Sequence, residues 1–281
     1  MQPISIVGPG SADLAVALAE RLDGRVALVG HADGSVEIER RSDATEGRSD
    51  APPSATAAVD TELALAADGS WTGGGTVDGF DDLLDGLAPD HDYLVAVDES
   101  RLRVPVILLG TDLDPTDVPG TAIATAESPD AADLDRIVAS LDDAEPWVTR
   151  ETLVRRVEAS ADADRAGAIA TFTGRVRARD APEDDRTTHL AFETYEGVAA
   201  ERMDAIAAEL TERDGVFDVR MHHRTGVIEA AEDIVFVVVL AGHRREAFRT
   251  VEDGIDRLKD EVPIFKKETT ESEEFWIHRR E

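Results

Sequence analysis

The stretch that decides the fold is DIVFVVVLAGHRREAFRTVEDGIDRLKDEVPIFKKE, residues 233–268. Asp233–Leu240 is almost continuously apolar and reads as a strand. His243–Lys259 follows with Ala247, Val251 and Ile255 stepping by four, the spacing of one helical face. Pro263–Lys267 reads as a strand again, and Phe275–His278 as a closing one. Toward the amino terminus lie a β-rich run at Phe217–Arg224, an amphipathic helix at Val198–Arg213, strands at Thr188–Tyr195 and Ala168–Val176, and a helix at Thr152–Ser160. Helices and strands do not alternate regularly, so this half is predicted to be α+β rather than a doubly wound sheet.

Residues before 143 have another texture. Pro3–Gly8 is a short apolar strand running into Gly8-Pro9-Gly10-Ser11, and Ala12–Leu22 carries helical spacing at Leu14, Leu18 and Leu22. Strand, glycine turn and helix is the layout of a phosphate-binding loop, but the helix start reads Ser11-Ala12-Asp13-Leu14 where such a loop needs Gly-Lys-Ser/Thr. Further strands at Arg25–Val29, Tyr93–Val97 and Val104–Leu109, with helices at Phe80–Leu87 and Asp133–Leu141, predict a small P-loop-like α/β domain. Arg41–Pro53 reads as a solvated loop, and Asp142–Pro146 as acidic and proline-terminated. The expected organisation is a first domain at 1–142, a linker at 143–149 and a second domain at 150–281.

Sixty Asp and Glu against 29 Lys and Arg leave a formal charge of −31. Such a chain repels nucleic acid and anionic membrane surfaces, so neither is an expected partner. With no Cys there is no disulfide, no thiolate zinc site and no cysteine nucleophile, and any sulfur chemistry needs imported sulfur. Neither a metal nor a resident cofactor is expected. No apolar run approaches the roughly 18 residues of a membrane span, and the amino terminus lacks a basic n-region, so a cytoplasmic protein is expected. Only Lys259, Lys266 and Lys267 are lysines; the other 26 basic residues are Arg. Arg bias with carboxylates spread over the chain fits a very salty cytoplasm. Three lysines within nine residues point instead to a phosphate or reactive-amine site.

Lys259 is the next step on the stripe of Ala247, Val251 and Ile255. It is either a pocket amine or a helix-end cation that snorkels to solvent and complements the macrodipole. Lys266 and Lys267 face opposite sides of their strand, and Glu268 shares the face of Lys266. On the strand from Ala168, Phe172 and Gly174 alternate with Thr173 and Arg175; Gly174 marks a bulge or a close approach. Arg175 and Arg177 share a face and either grip an anion or line an exposed edge. His222 and His223 point to opposite faces, cannot chelate one metal and read as structural. His243-Arg244 opens the long helix, where backbone amides favour anions. Its ends lie about 24 Å apart at the usual rise, too far for one small pocket. A two-fold dimer with these helices antiparallel brings His243-Arg244 of one copy beside Lys259 of the other.

Four motifs in order now carry a resemblance. Ala168-Ile-Ala-Thr-Phe-Thr-Gly-Arg-Val-Arg177, His222-His-Arg-Thr-Gly226, Ala241-Gly-His-Arg244 and Leu258-Lys-Asp-Glu-Val-Pro-Ile-Phe-Lys-Lys-Glu268 resemble the large, catalytic subunit of molybdopterin synthase over about residues 150–280. The resemblance implies an α/β-hammerhead fold, a homodimer and a ubiquitin-like sulfur-carrier partner whose carboxy-terminal Gly-Gly thiocarboxylate enters the pocket, the whole a heterotetramer. It implies sulfur transfer to cyclic pyranopterin monophosphate, giving the dithiolene of molybdopterin. Lys259 and Lys266 become the catalytic lysines, and Phe172, Arg175, Arg177, His243, Arg244, Lys267 and Glu268 become pocket residues. The alternative is a non-catalytic scaffold that binds pterin or a partner. The acidic loop Ala178–Thr188 is longer than the family leads one to expect. More weakly, Ile4-Ser-Ile-Val-Gly-Pro-Gly10 resembles the small GTP-binding adaptor of molybdopterin guanine dinucleotide synthesis, without its Gly-Lys-Thr.

Overall fold

The computed structural model describes residues 1–30, 61–68, 70–77, 79–110, 113–179, 181–194, 197–272 and 274–277. The predicted loop Arg41–Pro53 and the strand ends expected at Tyr195 and His278 lie outside them. The chain divides into two units, Met1–Trp147 and Val148–Glu281.

The first unit contains β1 (Gln2–Val7), α1 (Ser11–Arg21), β2 (Val26–Val29), β3 (Thr61–Leu65), β4 (Trp71–Gly75), α2 (Phe80–Leu87), β5 (Tyr93–Val97), β6 (Val106–Leu109), β7 (Ala122–Ala126) and α3 (Leu134–Asp142). Five strands form a parallel sheet in the order β2-β5-β1-β6-β7. Ile4, Ile6, Val95, Val97, Ile107 and Leu109 meet Leu14 and Leu18 of α1 and Ile137 and Leu141 of α3 on one face. Ala27, Leu94 and Ala96 meet Leu84 of α2 on the other. Burial on both faces explains why these strands are apolar without alternation. β7 and the separate β3-β4 hairpin were not anticipated from the sequence. Gly8 turns the chain at φ +118°, and a Cβ there would stand 2.1 Å from the Leu109 carbonyl oxygen, so only glycine fits.

The second unit contains α4 (Arg150–Glu158), β8 (Ala168–Arg175), β9 (Thr187–Thr194), α5 (Val198–Thr211), β10 (Val216–His223), β11 (Gly226–Glu229), β12 (Asp233–Ala241), α6 (Arg244–Glu261), β13 (Ile264–Thr270) and β14 (Glu274–Ile277). Its two antiparallel sheets run β10-β12-β8 and β11-β9-β13-β14. Along β12, Val235, Val237 and Val239 pack on Ile206 and Leu210 of α5 and Ala247, Ile255 and Leu258 of α6. Phe236, Val238 and Leu240 pack on Leu153 and Val157 of α4. Helices on both faces require the unbroken apolar run, each fully buried Val or Leu contributing about 1.5–3 kcal/mol of transfer free energy. Ile264 packs against this core and against the one formed by Leu190, Phe192 and Ile228 of the other sheet, tying the two sheets together.

Two boundaries matter for the site. α6 ends at Glu261 rather than Lys259, with His243 as its N-cap. β13 runs on to Thr270 rather than stopping at Lys267, which places Lys266, Lys267 and Glu268 inside a strand paired on both sides.

Candidate active site

Ala247, Ile255 and Leu258 hold α6 against the sheet, and Lys259 leaves the protein surface in the helix's last turn. Its Nζ lies 5.9 Å from the centroid of the Phe172 ring, which β8 presents to the same core. That separation is the outer limit of a cation–π contact. Lys259 is exposed.

Alternation along β13 puts Ile264, Lys266 and Glu268 on one face and Phe265 and Lys267 on the other. Lys266 pairs in register with Phe192 of β9, which is 5% exposed. Glu268 accepts a hydrogen bond from the Thr187 hydroxyl. Lys267 instead lies over the exposed Trp276 ring, 5.8 Å from its centroid, on the opposite face from Lys266 and Glu268.

Arg175 is engaged within the unit: its Nε is 2.8 Å from Asp233 Oδ1, and it donates to the Ala231 carbonyl. Arg177 is exposed just past the end of β8, with Val176 turned into the core between the two. At Gly174 a Cβ would stand 2.5 Å from Val235 Cγ1, and the register shifts between Asp233 and Val235, a bulge in the partner strand. His243 and Arg244 are exposed at the start of α6. The helix is continuous from Arg244 to Glu261, so within one subunit they stand about 24 Å from Lys259.

The histidine pair occupies two environments. His223 is buried, with Nδ1 2.7 Å from the Arg224 carbonyl oxygen, to which it donates, and its ring meets Phe192 edge-on at 4.9 Å. Burial pulls its pKa down to about 4. His222 falls to about 3, through burial first and then the neighbouring Arg224 charge. Both rings are therefore neutral near pH 7, and His223 backs the phenylalanine beside Lys266. Sequence reasoning missed Thr187 altogether, for its partner Glu268 is 81 residues away in the chain. Among the described residues no group of His, Asp and Glu is arranged to hold a metal ion, and no helix is long and apolar enough to cross a membrane.

Residues 145–261 match the family described as MoaE protein. A probable molybdopterin synthase of Haloferax volcanii is 52% identical over 281 residues, covering all of both chains. The molybdopterin synthase catalytic subunit of Pyrococcus abyssi is 38% identical over 111 residues, 40% of this chain and 74% of that one. The crystal structure of molybdopterin synthase from Staphylococcus aureus aligns with a TM-score of 0.42 at 30% identity, covering 48% of this chain and 93% of the other. With identity to the haloarchaeal protein running from end to end, the chain belongs to the molybdopterin synthase family, enzymes of molybdenum cofactor biosynthesis.

Proposed function

We propose that the second unit is the catalytic part of a sulfurtransferase. It takes sulfur from the carboxy-terminal Gly-Gly thiocarboxylate of a ubiquitin-like carrier and delivers it to cyclic pyranopterin monophosphate, two transfers giving the dithiolene. Lys259 and Lys266 are the catalytic lysines, and Phe172, Glu268, Arg175, Arg177, His243, Arg244 and Lys267 contribute to binding pterin phosphate or the carrier tail. The observation that carries this reading is the placement of the exposed Lys259 amine over Phe172 in a chain that otherwise uses Arg for its surface cations. Imported sulfur also suits a protein with no cysteine. Because α6 separates His243-Arg244 from Lys259, the complete site is shared across a two-fold dimer, which with two carriers makes a heterotetramer. The first unit is a degenerate adaptor-like domain with a P-loop-like layout, and the second is an α/β-hammerhead domain.

The test mixes purified protein, thiocarboxylated carrier and pterin substrate and measures molybdopterin formed per hour. Lys259→Ala and Lys266→Ala are expected to be inactive yet folded. No molybdopterin formed by the wild-type protein would favour the scaffold reading, and wild-type turnover by both variants would move the chemistry to other residues.

A further inference from the structure

We infer that Thr187 is a positioning residue of this site, holding the Glu268 carboxylate on the face of Lys266, and that the described residues of the acidic loop, 178–179 and 181–186, form the clasp that fixes Thr187. The inference rests on the reading of Lys266 as a catalytic lysine. Thr187 opens β9 and is 5% exposed, with its hydroxyl donating to Glu268 Oε1. The pairing of β9 with β13 is irregular between Thr269 and Thr270, so Thr187 lies in register with Thr270 and its hydroxyl reaches back to Glu268. A buried hydroxyl on a carboxylate is a charge-assisted bond, shorter and stronger than a neutral one, and it fixes the rotamer of its acceptor. With Oε1 so held, Oε2 remains for a cation on the same strand face, and Lys266 is the residue two positions along it.

The loop explains why Thr187 stays in place. Its two ends are closed by the Thr187 amide on the Ala178 carbonyl at 2.9 Å, and Asp184 accepts from the Ala181 amide at 2.8 Å within it. The loop is then fastened to the residues that follow Glu268. Thr188 Oγ1 donates to the Thr269 carbonyl at 2.9 Å, the Glu271 amide donates to the Arg186 carbonyl at 3.0 Å, and the Ser272 hydroxyl donates to Asp185. The loop thus has a task at the site: it clamps the end of β13 that carries Glu268.

The experiment uses the full chain with thiocarboxylated carrier and pterin substrate, reading kcat, the KM for carrier and melting temperature. Thr187→Val, which keeps the shape and removes the donor, is expected to lower kcat about tenfold, the scale of one charge-assisted hydrogen bond, with KM within about twofold. Thr187→Ser is expected to restore kcat, and Thr187→Val is expected to add nothing in a Glu268→Gln background. Glu268→Asp, which keeps the charge but retracts it from Thr187, is expected to lose kcat to a similar degree and serves if Thr187→Val does not fold. An unchanged kcat in Thr187→Val or in Glu268→Asp, or a Thr187→Val effect that multiplies with that of Glu268→Gln, overturns the inference. If Lys266→Ala is inactive while Thr187→Val is normal, only this inference falls; if Lys266→Ala is fully active, the reading of the site falls with it.

Discussion

Lys259 Nζ stands 5.9 Å from the centroid of the Phe172 ring, joining the last turn of α6 to the middle of β8. A surface cation would tolerate exchange for Arg, which this chain uses almost everywhere else. An amine that gives or takes a proton would not, because Arg stays charged and needs room for a planar fork. Lys259→Arg is therefore expected to lose about a hundredfold or more in molybdopterin formation, the scale of a lost general acid or base, with its melting temperature unchanged. Near-normal turnover would reduce Lys259 to a positive charge and leave Lys266 as the reacting lysine.

A shared site makes a complementation prediction. Arg244→Ala and Lys259→Ala are each expected to be inactive as homodimers, whereas mixed dimers carry one intact site and regain up to half of wild-type activity per dimer. No recovery after demonstrated subunit exchange would place the whole site within one subunit.

His222 and His223 give a pH dependence of stability. Their folded pKa values, about 3 and about 4, lie below the unfolded value near 6.5, so the unfolded chain takes up more protons between these limits. Their contribution is complete above about pH 6.5 and is lost as pH falls toward about 4. Melting temperature at fixed salt is expected to drop between pH 6.5 and 5, above the range where most carboxylates titrate, and His222→Asn/His223→Asn is expected to flatten that slope. Equal slopes for the two proteins would assign the acid sensitivity to other groups.

The first unit is expected not to hydrolyse GTP. The Gly8 amide at the head of its glycine turn donates to the Asp98 carboxylate at 3.1 Å, and Asp13 adds a negative charge in the first turn of α1. No lysine stands in the loop to meet β- and γ-phosphates, and Ser11, the residue that opens the helix, is buried. Magnesium-dependent phosphate release by the full chain well above buffer would contradict this.

Salt should stabilise the whole chain. A net charge of −31 repels itself across distances that molar KCl screens to about 3 Å. The melting temperature is expected to rise between dilute buffer and molar KCl, and an unchanged value would mean that the charges are already compensated locally.

The sequence by itself determined what depends on composition and on near neighbours. The absence of Cys and the charge of −31 need no fold, and the apolar run of β12 and the four-step stripe of α6 are periodicities within one element. So is the opposition of Lys266 and Lys267, since adjacent residues of a strand face opposite ways. Which of those two faces carries Glu268's bond to Thr187, and which carries Trp276, was decided by the register of β13 between β9 and β14. β7 and β11 escaped notice because Ala122–Ala126 and Gly226–Glu229 are short and weakly patterned, and they become strands through the neighbours they pair with. Thr187 carries no local mark of a role, because a hydroxyl acquires one only when tertiary pairing brings a carboxylate from 81 residues away within hydrogen-bond reach.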